Sequence, residues 1–287
     1  METFSKAREF LLSALETRLA PGDSAWLRAQ CDALAAGAPE RTLHLAFGLA
    51  VRRAGHAAFN ASPAEQARAF AVHPGWDLRG WNLEQAARAA LLLSMPRSDA
   101  TVKAALALFQ TADLGEHVAL VRALFLLPDA EALLHVAREA IRSNMGDVFH
   151  AVSQQNPYAA EHFDEIAWNQ MIVKCLFVEL PLGTIHGLDA RANPELARMI
   201  AGLAHERWAA GRDISPEAWR CVAPFASPGS EAAAVLADAI ARGGAHRRAA
   251  ALALWNLPRG AGRSVVAEGA PELVPGLESG TLTWETP

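Results

Sequence analysis

The sequence has little of what sheets, disulfide frames and membrane spans are built from. Tyrosine occurs once, at Tyr158, and β-branched residues are sparse; a sheet draws on both. Three cysteines, Cys31, Cys175 and Cys221, make an odd number with no CxxC spacing. They argue for buried reduced thiols and against a disulfide framework or a cysteine zinc site. Lysine is confined to Lys6, Lys103 and Lys174, so arginine carries nearly all the positive charge. A net charge of −5 over 287 residues argues against a general nucleic-acid binder. No run of eighteen uncharged apolar residues is present, so no membrane span is expected. Glu2, Lys6, Arg8 and Glu9 without an apolar stretch behind them do not read as a secretory leader, and the expected address is the cytoplasm. A glycine-rich phosphate loop, a Gly-x-Ser-x-Gly elbow and a Cys/His pair at ligand spacing are all missing. That lowers the odds of a standard nucleotide, hydrolase or metal enzyme, and no cofactor is expected.

What the sequence does have is helix. Hydrophobic residues make up 52%, much of it alanine. Residues 3 to 19 place Phe4, Ala7, Leu11, Leu15 and Leu19 near one face, and Pro21-Gly22 is expected to stop that helix. Later helices are expected at Ser24 to Ala36, from Pro39, and after Ser62-Pro63-Ala64-Glu65, a capping box with proline at the first position. Asn82 with Gln85 and Asp113 with Glu116 give two more helix starts; Ser98 or Asp99, Asp129 and Met145 give others. Trp76 and Trp81 sit in a loop, either as a stacking platform for a flat ligand or, as tryptophan more often does, wedged into the core.

Several helices run into a proline, at Pro96, Pro128, Pro181 and Pro258, with spacings of 32, 53 and 77 residues. No fixed period survives, so the expected fold is all-α: an irregular HEAT-like array of antiparallel helix pairs. A single helical domain is expected over 1–258. A Gly/Pro-rich tail over 259–287 is expected to be loose, with Trp284 as the residue that could pin it.

The chemistry concentrates between Asn156 and Arg212. Ile166 to Val178 is apolar almost all round and predicts a buried helix. It nonetheless carries Asn169, Gln170 and Lys174, which need partners if buried. Gln170 and Lys174, one turn apart, are expected to share an edge that meets the following polar segment. That segment holds His186, Asp189, Arg191, Asn193, Glu195, His205, Glu206, Arg207 and Arg212. Asn193-Pro194-Glu195 is a helix start. His205-Glu206 opens like a zinc-protease helix, but the second histidine would fall at Ala209, so no catalytic zinc is expected. His205 reads either as a general base oriented by Glu206 or Asp189 or as a histidine bonded within the core. Lys174 reads as a nucleophile or anion hook, or as a snorkelling or ion-paired lysine. Glu206 and Arg207 are expected in an ion-pair network with Asp189, Arg191 or Arg212.

The same segment carries a resemblance. Trp168-Asn169-Gln170-Met171 with Lys174 and Phe177, then Gly187-Leu188-Asp189 with Arg191 to Ala197, then His205 to Arg212 resemble the EboA-domain family of bacterial metabolite-traffic proteins. These blocks cover the middle-to-late third of the chain. The family is not defined by a catalytic motif, so the resemblance implies a role without a reaction. It implies genes beside a UbiA-type prenyltransferase and metal-dependent hydrolase-like proteins. The implied partners are a small lipid-like or aromatic secondary metabolite or other proteins of that cluster, with membrane association through them and no nucleic acid. Three readings follow. The first is a non-enzymatic binding or scaffold protein in metabolite traffic or export. The second is an enzyme acting on the metabolite through His205, Glu206, Asp189 and Lys174. The third is a helical docking module for other proteins.

Overall fold

A computed structural model describes residues 2–96 and 99–284. It is all-α: the described residues hold helices throughout, and their sole β pairing is an isolated bridge between Ala58 and Asn82. The contacts divide the chain into two compact units, Met1–Asp164 and Glu165–Pro287.

The first unit contains α1 (Glu2–Glu16), α2 (Pro21–Ala35), α3 (Glu40–Ala54), α4 (Pro63–Val72), α5 (Leu83–Leu92), α6 (Asp99–Thr111), α7 (Leu114–Ala123), α8 (Leu134–Arg142), α9 (Gly146–Ser153) and α10 (Tyr158–His162). The three capping boxes form as expected: Ser62 with Glu65, Asn82 with Gln85 and Asp113 with Glu116 each close reciprocally. Each satisfies two backbone donors that a helix start would otherwise leave open. Pro21 does not stop the first helix. It occupies the first turn of α2, where its missing N–H costs nothing. An expected start at Ser98 lies outside the described residues.

Every residue of α5 is buried, and α1, α2, α3 and α7 pack around it. Its polar members are held inside. Gln85 closes its own cap. Arg88, 1% exposed, donates from Nε to the Phe47 carbonyl at 3.0 Å and stands 3.4 Å from Glu84 and 3.9 Å from Glu116. Trp76 and Trp81 are core, not a platform. Trp76 meets Phe10 edge-on at 5.3 Å, Phe125 at 6.0 Å and Trp81 at 6.2 Å.

The second unit contains α11 (Glu165–Phe177), α12 (Pro194–Ala209), α13 (Trp219–Val222), α14 (Glu231–Arg242), α15 (Gly244–Trp255), α16 (Arg263–Gly269) and α17 (Val274–Glu278). The expectation that α11 is buried all round is corrected. It hides Trp168, Met171, Ile172 and Cys175 but exposes Gln170 and, at 70% and 61%, Ile166 and Phe177. Lying at the edge of its unit, it needs one buried stripe only. The segment after Pro258, expected to be loose, folds into α16 and α17. Val266, Ala270 and Leu277 are buried there, and Arg220 lies over the Trp284 ring at 5.1 Å. Three small apolar anchors among glycines and prolines hold these short helices without any long periodic run. All three cysteines are buried, and none of them forms a disulfide. Burial raises the Cys31 thiol to about 11 and the Cys221 thiol to about 12, so neither is a ready nucleophile.

Candidate functional site

The start of α12 fixes the polar segment. Asn193 caps the helix by accepting from the Leu196 N–H at 2.8 Å, as its position before proline requires. Its amide also exchanges two hydrogen bonds with buried Asn169 on α11, at 2.8 and 3.1 Å. Asn169, rather than the exposed Gln170, therefore meets the following loop. The reason is periodicity: the edge of α11 that packs inward runs through Asn169 and Ile172, and Gln170 falls a hundred degrees away. Burial lowers the pKa of the half-buried Lys174 ammonium. Arg191 spreads its guanidinium over the Trp168 ring at 4.8 Å.

The charged residues pair locally rather than converging. Asp189 takes a two-pronged bond from Arg220 at 2.9 and 2.5 Å. Burial would depress the Arg220 guanidinium, but the Asp189 carboxylate more than offsets it, and the net shift is upward. Arg207, largely buried, donates to the Asp213 carbonyl and, at 2.9 Å, to Glu179. Glu195 pairs with Arg198 on the surface, and His205 stands 3.6 Å from Asp238. Glu206 and Arg212 are exposed; His186 is half-buried. Asp189, Arg207 and His205 each have a partner outside the expected set: Arg220, Glu179 and Asp238. Among the described residues, no three His, Cys, Asp or Glu side chains gather as metal donors.

Sequence reading missed a second polar array. The Trp219 indole donates to His246 Nδ1 at 3.2 Å, and His246 Nε2 bonds Asp213 at 2.6 Å. Because the indole can only donate, Nδ1 carries no proton and Nε2–H donates to the carboxylate. Asp213 is pushed up by partial burial, but the bonds from His246, the Ile214 N–H and Trp208 outweigh that and lower its pKa. Both imidazole nitrogens are occupied, so this array orients the Trp208–Trp219 aromatic cluster rather than offering a free base. His246 lies on a helix with no motif around it, and nothing in the sequence marks it.

Nor does the sequence show an apolar groove of about 760 Å³ between α14, α15 and α16. Leu236, Ile240, Leu254, Leu257 and Val265 supply its walls, and Ala233, Ala237 and Ala241 leave the room. Ser227, Arg247, Ser264 and Glu268 provide a few polar groups. Arg247 is engaged with Glu272 at 2.6 Å. Gly262 makes the groove possible: a Cβ there would lie 2.3 Å from the Leu254 carbonyl oxygen, so only glycine lets α16 approach α15 this closely. Such volumes suit a small-molecule ligand, as do mostly apolar walls with sparse polar groups.

Fold and site together define an all-α protein that carries an apolar groove and a polar segment tied up in local pairs. The chain belongs to the family described as metabolite traffic protein EboA, whose sequence model matches residues 7–223. The groove residues, 226–269, follow the matched stretch. No curated protein and no solved structure matches the chain. No helix among the described residues is long and apolar enough to cross a membrane.

Proposed function

We propose that this chain is a non-enzymatic binding protein in metabolite traffic and that it holds an apolar small molecule in the groove between α14 and α16. The observation that carries the reading is the groove itself. It has ligand-sized volume and apolar walls, and its polar groups are too few and too scattered to run a reaction. The family role in metabolite traffic supports it. The polar segment supports it in the other direction: Asp189, Arg207 and His205 each pair with a neighbouring side chain, as residues do when they fix geometry. In this reading Asn169, Asn193, Asp189 and Arg207 hold the frame of the second unit, while the exposed Gln170, Glu206 and Arg212 face solvent or a protein of the same gene cluster.

The test is to purify the chain from cells that make it naturally and extract it with organic solvent. An apolar compound near one equivalent, lost when Ala237→Trp fills the groove, is the expected result. Equal retention by Ala237→Trp, with its helical spectrum unchanged, would reject the groove as the site.

A further inference from the structure

The turn that joins α15 to α16 gathers positive charge. From Ala239 to Ala267 the sequence holds five arginines and no aspartate or glutamate, in a chain whose net charge is −5. Arg247 finds a carboxylate, Glu272, beyond that stretch. Arg259 and Arg263 do not: among the described residues, neither guanidinium forms a hydrogen bond or an ion pair. Both line an open cavity of about 520 Å³, with Trp255, Asn256, Leu257 and Gly260. No carboxylate is among these lining residues, so two like charges share one concavity. A concavity lined by one sign of charge concentrates ions of the other.

The turn holds these groups in place. Arg263 sets its guanidinium over the Trp255 ring at 4.8 Å. A guanidinium held there has less freedom to lose when its N–H groups take an acceptor. Gly260, at φ +69°, lies so close to the Arg263 stem that a Cβ on it would stand 3.0 Å from Cδ and 3.2 Å from Nε. Arg259 itself holds φ 57° and ψ 16°, a left-handed conformation uncommon for any residue but glycine. Such conformations gather at ligand sites, where the surrounding fold maintains them.

We propose that the cavity at the α15–α16 turn binds the phosphoryl group of a small molecule, with Arg259 and Arg263 as its donors and the Asn256 amide beside them. Two guanidiniums match the nearly double charge of a phosphomonoester better than the single charge of a carboxylate. The volume is in the range of small-molecule sites and is more than a bare phosphate needs, which leaves space for the rest of the ligand against half-buried Trp255. Leu257 lines this cavity and the apolar groove alike. The site depends on the arginines and would stand if the groove proved empty.

Calorimetric titration of the full chain with phenyl phosphate, and with benzoate at equal ionic strength, tests this. Wild type should bind phenyl phosphate at one saturable site, with an affinity that falls as chloride rises. Arg259→Gln and Arg263→Gln should each weaken binding about tenfold or more. Both should melt within about a degree or two of wild type, since the two side chains are exposed. Arg242→Gln, which removes an arginine lying over Trp208 instead, should bind as wild type does. So should Ala237→Trp, which fills the groove. The site is overturned if wild type shows no saturable binding, if either cavity variant binds unchanged, or if Arg242→Gln or Ala237→Trp weakens binding as much. It is overturned equally if a cavity variant melts several degrees lower, which would make that arginine a structural partner. Benzoate bound as tightly as phenyl phosphate would overturn the phosphoryl assignment.

Discussion

Arg88→Met tests the reading of α5 as the centre of the first unit. In the structure Arg88 is 1% exposed and Glu84 3%, and the two stand 3.4 Å apart on consecutive turns. Removing the guanidinium leaves Glu84 in the core with only His56, at 3.4 Å and mostly exposed, to face its other oxygen. Glu116, 3.9 Å from Arg88, loses a partner as well, but it keeps the backbone N–H of Asp113 at 3.1 Å. Breaking a buried pair from one side costs about 3–5 kcal/mol. The expected loss is near the lower end, because neither carboxylate makes a short hydrogen bond to Arg88 and His56 can compensate in part. The paired change Arg88→Met with Glu84→Met removes both charges and should return the unit to within about 1 kcal/mol of wild type. Hydrogen exchange of the α5 amides in the full chain reads this directly, since their slowest exchange reports opening of that core. Arg88→Met should speed it roughly 10²-fold or more and the double variant should restore most of the protection. If Arg88→Met exchanges like wild type, the pair is solvated and α5 is not the buried centre described. If the double variant is as unprotected as the single, the Phe47 carbonyl bond matters and the ion pair does not.

Three further outcomes are expected. Arg18 holds Glu65 through a two-pronged bond at 2.8 Å and lowers its carboxyl to about 2. A lowered acid stabilises the fold above its unfolded pKa, so about 2–3 kcal/mol should vanish as pH falls from about 4.5 toward 2. Acid unfolding of Arg18→Met should lose much of that slope and keep the part that the Ser62 bonds to Glu65 supply. Asn193→Ala removes a helix cap and strands the buried Asn169 amide, for a loss of about 2–3 kcal/mol in denaturant unfolding; Asn193→Asp should keep the cap and lose less. Gly262→Ala places a methyl 2.3 Å from a backbone oxygen, and moving α16 to relieve it should cost about 1–3 kcal/mol, seen as a lower melting temperature.

Helix starts were legible because their signals are local. Ser62 with Glu65, Asn82 with Gln85, Asp113 with Glu116 and Asn193 with Pro194 each state their geometry within four residues. Burial was not legible, because it depends on what packs against a helix. α5 carries Glu84, Gln85 and Arg88, polar residues that do not announce a buried helix, yet every one of its residues is buried. The greasier α11 lies at an edge and leaves Ile166 and Phe177 in solvent. The polar segment was visible as a concentration of charge, but not its pairing: Arg220 and Asp238 from beyond the stretch, and Glu179 from the end of α11, take up Asp189, His205 and Arg207. The groove was invisible for a different reason. It is made by alanines and by Gly262, residues that leave space, and space has no sequence signature until three helices surround it.

The central claim is that the groove, and not the polar segment, holds the ligand. Titration with the neutral apolar dye Nile red tests it most directly, using wild type, Ala237→Trp in the groove and Lys174→Met in the polar segment. One saturable site is predicted for wild type and for Lys174→Met, with Ala237→Trp weakened about tenfold or more. Unchanged binding in Ala237→Trp together with loss in Lys174→Met would contradict the account and move the site to α11.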